Sequence, residues 1–76
     1  MLVQYCGPHA SMVEQLYRQF DEEKIATGII GENWIMETFV NKETGTWTVL
    51  TTNLNGMTCV RASGEGWKDI KLGESS

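Results

Sequence analysis

A thiol and an imidazole stand three positions apart in Cys6-Gly7-Pro8-His9, and a second thiol, Cys59, lies far along the chain. These residues have the chemistry to bind zinc or to attack an electrophile. Structural zinc takes four protein ligands, and catalytic zinc takes three plus water. The fourth ligand here would be a carboxylate such as Glu65, with no spacing to recommend it. A nucleophile would pair Cys59 or Cys6 with His9 as base. Cys59 sits inside an alternating apolar run, a poor setting for an exposed, activated thiolate. The Cys-x-x-Cys redox spacing is absent. Oxidation of the two cysteines to each other would remove every thiol reading at once. His9, beside a helix start, then reads as a surface residue.

The carboxylates offer little more. Asp21-Glu22-Glu23 is a run, and Glu37, Glu43, Glu65 and Asp69 stand alone. Acid–base work needs two carboxylates held across a cleft with different proton affinities; solvated charges are the simpler expectation. Ser63-Gly64-Glu65-Gly66 has the glycines of a phosphate loop. No helix pattern follows it to aim amides at an anion, so it reads as a turn that folds Trp67 back onto the sheet. No cofactor or metal is expected, and the chain reads as non-enzymatic.

The elements that must position these residues begin with 76 residues, which suffice for one domain, 1–76. A chain this short buries only about 60% of its unfolded surface and often needs a staple. An even cysteine count suits that role, with two buried free thiols as the alternative. A Cys6–Cys59 bond would close a loop of about 54 residues, worth roughly 4 kcal/mol in the chain-entropy view. Ten acids against six bases leave a net charge of −4. There is no basic stripe for nucleic acid and no run long enough for a membrane span.

The clearest structural signal is a hairpin. Thr46–Thr52 and Met57–Ala62 favour extended backbone, and Asn53-Leu54-Asn55-Gly56 between them supplies a tight reversal. Ahead of it come an arm over 1–7 and a helix over 8–22, with Pro8 in its first turn. Met12, Val13, Leu16, Tyr17 and Phe20 fall within an arc of roughly 140° and should face the sheet. Ser11, Gln15, Arg18 and Gln19 should face water. Ser11 and Glu14 have capping-box spacing, which offers a second helix start. Strands are expected over 24–30, 34–41, 46–52 and 57–63, with Ile70 and Leu72 suggesting a short last one and 73–76 fraying. Short loops favour antiparallel neighbours. The expected fold is α+β, one amphipathic helix packed on a four-stranded antiparallel meander.

Symmetric pairing about Leu54-Asn55-Gly56 puts Trp47, Val49, Met57 and Cys59 on one face. A bond from Cys59 to Cys6, just before the helix, would set that face under the helix. Leu50, Val60 and Ala62 would then be thinly covered and open to a protein partner or a second copy of the chain. Seven aromatic residues cannot all be core. Trp34, beside the Gly31-Glu32-Asn33 turn, is the candidate anchor for a partner. A small-ligand carrier would need a cavity that so thin a core should hardly enclose.

Gly45-Thr46-Trp47-Thr48 followed by Gly56, Cys59, Ala62, Gly64-Glu65 and Trp67 resembles a group of small secreted proteins of Gram-negative bacteria. Their layout is similar: an early cysteine and proline, an amphipathic helix, a Glu-x-Phe strand (here Glu37-Thr38-Phe39) and a Trp-then-Cys hairpin. The resemblance spans Cys6 to Trp67, with its specific part in the last third. It implies export to the periplasm or beyond, supports the Cys6–Cys59 pairing, and brings no activity. Met1-Leu2-Val3 does not resemble a secretory leader. A leaderless, phage-borne relative in the host cytoplasm or virion is the alternative location. The expected function is that of a non-enzymatic interaction or accessory protein. The alternative is a small thiol- or metal-dependent protein using Cys6, His9 and Cys59.

Overall fold

Asn53 organises the hairpin: its Oδ1 accepts hydrogen bonds from the Asn55 amide at 2.9 Å and the Met57 amide at 3.1 Å. Gly56 follows at φ 82°, a left-handed conformation that favours glycine. The computed structural model describes residues 5–70. Leu72 and the tail 73–76 lie outside them. The strands are β1 (Cys6–Pro8), β2 (Glu23–Ile30), β3 (Trp34–Val40), β4 (Trp47–Asn53) and β5 (Met57–Gly64), with one helix, α1 (His9–Phe20), between β1 and β2. All neighbours are antiparallel, in the order β1-β5-β4-β3-β2. The fold is therefore α+β with one helix, and its sheet has five strands rather than four.

The fifth strand comes from the arm. Cys6 stands opposite Cys59, and the Val60 amide donates to the Tyr5 carbonyl at 2.8 Å. Pro8 ends β1 and serves as the N-cap of α1 at φ −61°, ψ 143°, so the helix begins one residue later than expected. The Ser11–Glu14 start is not used. Asp21 ends the helix in the left-handed region, its amide donating to the Tyr17 carbonyl at 3.0 Å. That turn carries Glu22 inward. Ile70 lies outside any strand and is exposed.

Register and alternation sort the side chains onto two faces. Near the turn the pairing is the symmetric one: Thr52 opposite Thr58, Thr51 opposite Cys59, Leu50 opposite Val60. A bulge then sets Val49 opposite Ala62, which leaves Arg61 as the extra residue. Trp47, Val49, Met57 and Cys59 do share a face; Val60 stays opposite Leu50 on the other, as expected, but Ala62 joins the Trp47 face.

The helix covers the opposite face from the one expected. Gly7, the neighbour of Cys6, lies under Met12: a Cβ added there would sit 3.3 Å from the Met12 sulfur. Having no side chain at Gly7 lets the helix close down on that side, while Cys6 points to the other. Met12, Leu16, Phe39 and Leu50 form the core, with Val13 and Val60 packed against them. Full burial of such side chains contributes about 1.5–3 kcal/mol each. Tyr17 is 60% and Phe20 48% exposed, so the contact line is narrower than the apolar arc. Across β4 and β5, Thr52 and Thr58 share a hydrogen bond at 2.7 Å.

Candidate functional site

The sulfurs of Cys6 and Cys59 are bonded to each other, with Cα atoms 4.0 Å apart on directly opposed strand positions. Since Val60 and Tyr5 make the adjacent ladder bond, the cysteines occupy the closer, non-hydrogen-bonded pair of the ladder. Both thiols are consumed, and the described residues contain no free cysteine. They contain no group of three or more metal-ligating side chains either.

His9 does not stand free on the surface. Its Nε2 lies 2.7 Å from Glu37 Oε1, and Lys24 Nζ donates to Glu37 Oε2 at 3.2 Å. Glu37, centred in β3 on the helix-covered face, is 5% exposed. The two basic partners satisfy a carboxylate that would be costly to bury alone. Glu37 is thus a packed ion-pair centre rather than a solvated charge. Glu22, also taken for solvated, is 3% exposed.

Of the expected partner residues, Leu50 is fully buried and Val60 packs against the helix core, so neither offers a surface. The reason is the helix placement set by Gly7 and Met12. Trp34 and Ala62 are half-buried on the face that the helix leaves open. Trp34 is joined there by Arg61, a residue that sequence reasoning passed over. The bulged position turns Arg61 across β4, where its Nε donates to Thr51 Oγ1 at 2.7 Å. Its guanidinium carbon then sits 5.5 Å from the centre of the Trp34 ring, within cation–π range.

The neighbouring hairpin extends beyond the helix. Seven of the eight residues of β2 are exposed, and Gly28 is half-buried. β2 is also an edge strand, with one side of its backbone unpaired by β3. Ile29 and its partner Ile35 are 79% and 48% exposed on one face, and Ile30 is 48% exposed opposite Trp34 on the other. Ala26-Thr27-Gly28-Ile29-Ile30 carries no charge to blunt the edge, a device natural edges commonly use. The signal was available: Ile29, Ile30 and Ile35 bracket the Gly31 turn with apolar residues on both alternating faces.

At the far end of the sheet, Trp67 folds back as expected. Its amide donates to the Gly45 carbonyl at 2.9 Å, and its ring lies 6.3 Å from that of Trp47. Asp69 accepts from the Trp67 indole at 3.0 Å and pairs with Lys42 at 3.3 Å. The indole hydrogen bond first, then Lys42, hold the Asp69 carboxyl below its ordinary value.

The fold and its open surfaces define a disulfide-stapled α+β module with a helix on one side of the sheet and a strand edge, apolar in its second half, that no other strand of the described residues pairs. Comparison with protein-family models, curated proteins and solved structures finds no match. The resemblance to small secreted Gram-negative proteins rests on the sequence motif alone. No helix of the described residues is long and apolar enough to cross a membrane.

Proposed function

We propose that this is a non-enzymatic interaction or accessory protein that docks a protein partner on the β2–β3 hairpin. The observation that carries the reading is the β2 edge, unpaired among the described residues, with Ile29, Ile30 and Ile35 in water beside the Trp34–Arg61 pair. An extended segment can add to such an edge through main-chain hydrogen bonds, while pockets on either face select its side chains. Trp and Arg are the residues most often found as interface hot spots. A second copy of the chain is the homodimeric version of the same contact.

The disulfide supports an oxidising location, periplasmic or secreted, because such bonds persist where thiols are not kept reduced. A phage-encoded protein acting in the host cytoplasm or virion is the alternative. The thiol or metal reading, with Cys6, His9 and Cys59, loses its support from the sulfur bond and the His9–Glu37 contact. To test the proposal, wild type and an Ile29→Lys, Ile30→Lys double variant are immobilised and exposed to extract of the source cells. The wild type should retain a defined partner that the variant does not. Equal retention by both would move the interaction elsewhere.

A further inference from the structure

The residue pattern along β2 fits one occupant of its edge, a second copy of this chain; the inference rests on the reading that this edge docks a partner. The ladder between β2 and β3 shifts register between Lys24 and Ala26, so the straight part of the edge strand is Ala26–Ile30. Gly28 stands at the middle of that uncharged segment. It is half-buried, and a Cβ added there would meet the Met36 methyl at 3.8 Å, an ordinary contact.

Antiparallel geometry restricts how an edge can pair with itself. Residues directly opposite each other both turn their backbone groups toward the shared ladder, or both turn them away. A two-fold axis therefore lies between a residue and its own copy, never between two successive positions. An axis at Thr27 would set Lys24 against Ile30, and one at Ile29 would set Glu32 against Ala26. An axis at Gly28 pairs the uncharged segment wholly with itself: Ala26 with Ile30, Thr27 with Ile29, Gly28 with Gly28. The same axis brings Lys24, just before the segment, toward the second copy's Glu32, just after it. Glu32 is exposed and makes no ion pair among the described residues. Lys24 uses one ammonium donor on Glu37 and has others to offer.

We propose that the partner of the β2 edge is a second copy of this chain, joined antiparallel about a two-fold axis at Gly28. Two five-stranded sheets then become one of ten, with both helices on the same side. Ile29, 79% exposed in the single chain, lies beside the second copy's Thr27, and Ile30 beside its Ala26. Main-chain hydrogen bonds close an edge that no charge guards from Ala26 to Ile30.

Gly28→Cys tests the axis directly. Opposed Cα atoms in an antiparallel ladder lie about 4.5–5.5 Å apart, within the roughly 4.4–6.8 Å that a disulfide spans. Ile30→Cys is the comparison, because Ile30 and its own copy would be offset along the strand by about 13 Å. After mild air oxidation with Cys6–Cys59 intact, Gly28→Cys should run as a covalent dimer and Ile30→Cys as a monomer. In sedimentation equilibrium the wild type should associate to a dimer as its concentration rises. The Ile29→Lys, Ile30→Lys double variant should stay monomeric, which keeps the test decisive if Gly28→Cys misfolds. A covalent dimer from Ile30→Cys with none from Gly28→Cys, or a wild type monomeric at every concentration, would overturn the proposal. The docking edge fails separately. A monomeric wild type that retains an extract protein which the double variant loses removes the second copy and leaves the edge standing. Equal retention by both removes the edge too.

Discussion

Leu16 and Tyr17 are neighbours with opposite fates, and they show what a single residue contributes here. Leu16 is 7% exposed in the core and Tyr17 60% exposed. Leu16→Ala should cost about 2–5 kcal/mol in urea denaturation, from lost burial and the cavity left behind. Tyr17→Ala should stay within about 0.5 kcal/mol, as surface substitutions usually do. Helix periodicity could place both on one apolar arc; it could not say how much of the arc the sheet would reach. Glu22 was illegible for a related reason. Its burial follows from the left-handed turn at Asp21, a tertiary choice with no pattern in the run Asp21-Glu22-Glu23. Because Glu22 Oε1 is buried without a hydrogen-bond partner among the described residues, Glu22→Met should stabilise by about 1–3 kcal/mol, measured by the same denaturation.

Asp69 gives a residue-level pH prediction. Its folded value lies below the ordinary one, so the stabilisation of the Trp67 contact is complete above the ordinary carboxylate value. It is lost as pH falls through the depressed value. Trp67 ring resonances should therefore hold constant from neutral pH down to the ordinary carboxylate range and move only below it. A change centred near neutrality would contradict the Asp69 assignment.

At the scale of elements, the disulfide joins β1 to β5, and its loss frees the edge strand and the start of α1 together. Reduction, or Cys6→Ser with Cys59→Ser, should lower stability by about 4 kcal/mol in the chain-entropy view, seen as a fall in melting temperature. An unchanged melting temperature would contradict the staple. The helix, the four longer strands and the staple were all legible, because each rests on local pattern: apolar periodicity, Asn-Gly turn chemistry, an even cysteine count. The strand β1 was not. Three residues, one of them Pro8, carry no alternation, and their pairing is a long-range event fixed by Cys59. The covered face is the reverse of the one expected, because the sulfur bond does not draw the helix over Cys59. Gly7, one position on and on the opposite face, is where Met12 closes against the sheet. The bulge that separates Val60 from Ala62 left no mark in the residue types either, and it is what brings Arg61 to Trp34.

At the scale of the whole molecule, the extents of 40 × 29 × 24 Å describe an elongated body, with the helix over β1 and β5 and the β2–β3 hairpin left bare. The second half of β2, without charge from Ala26 to Ile30 and exposed to water, is a template for pairing with another chain, and this edge is the central functional claim. Site-specific photocrosslinking reads it most directly. A benzophenone amino acid replaces Ile30 in one sample and Arg18, on the exposed side of α1, in another; both are irradiated in extract of the source cells. The account predicts one discrete adduct from position 30, to a protein partner or a second copy, and none from position 18. Adducts from position 18 with none from position 30 would contradict it.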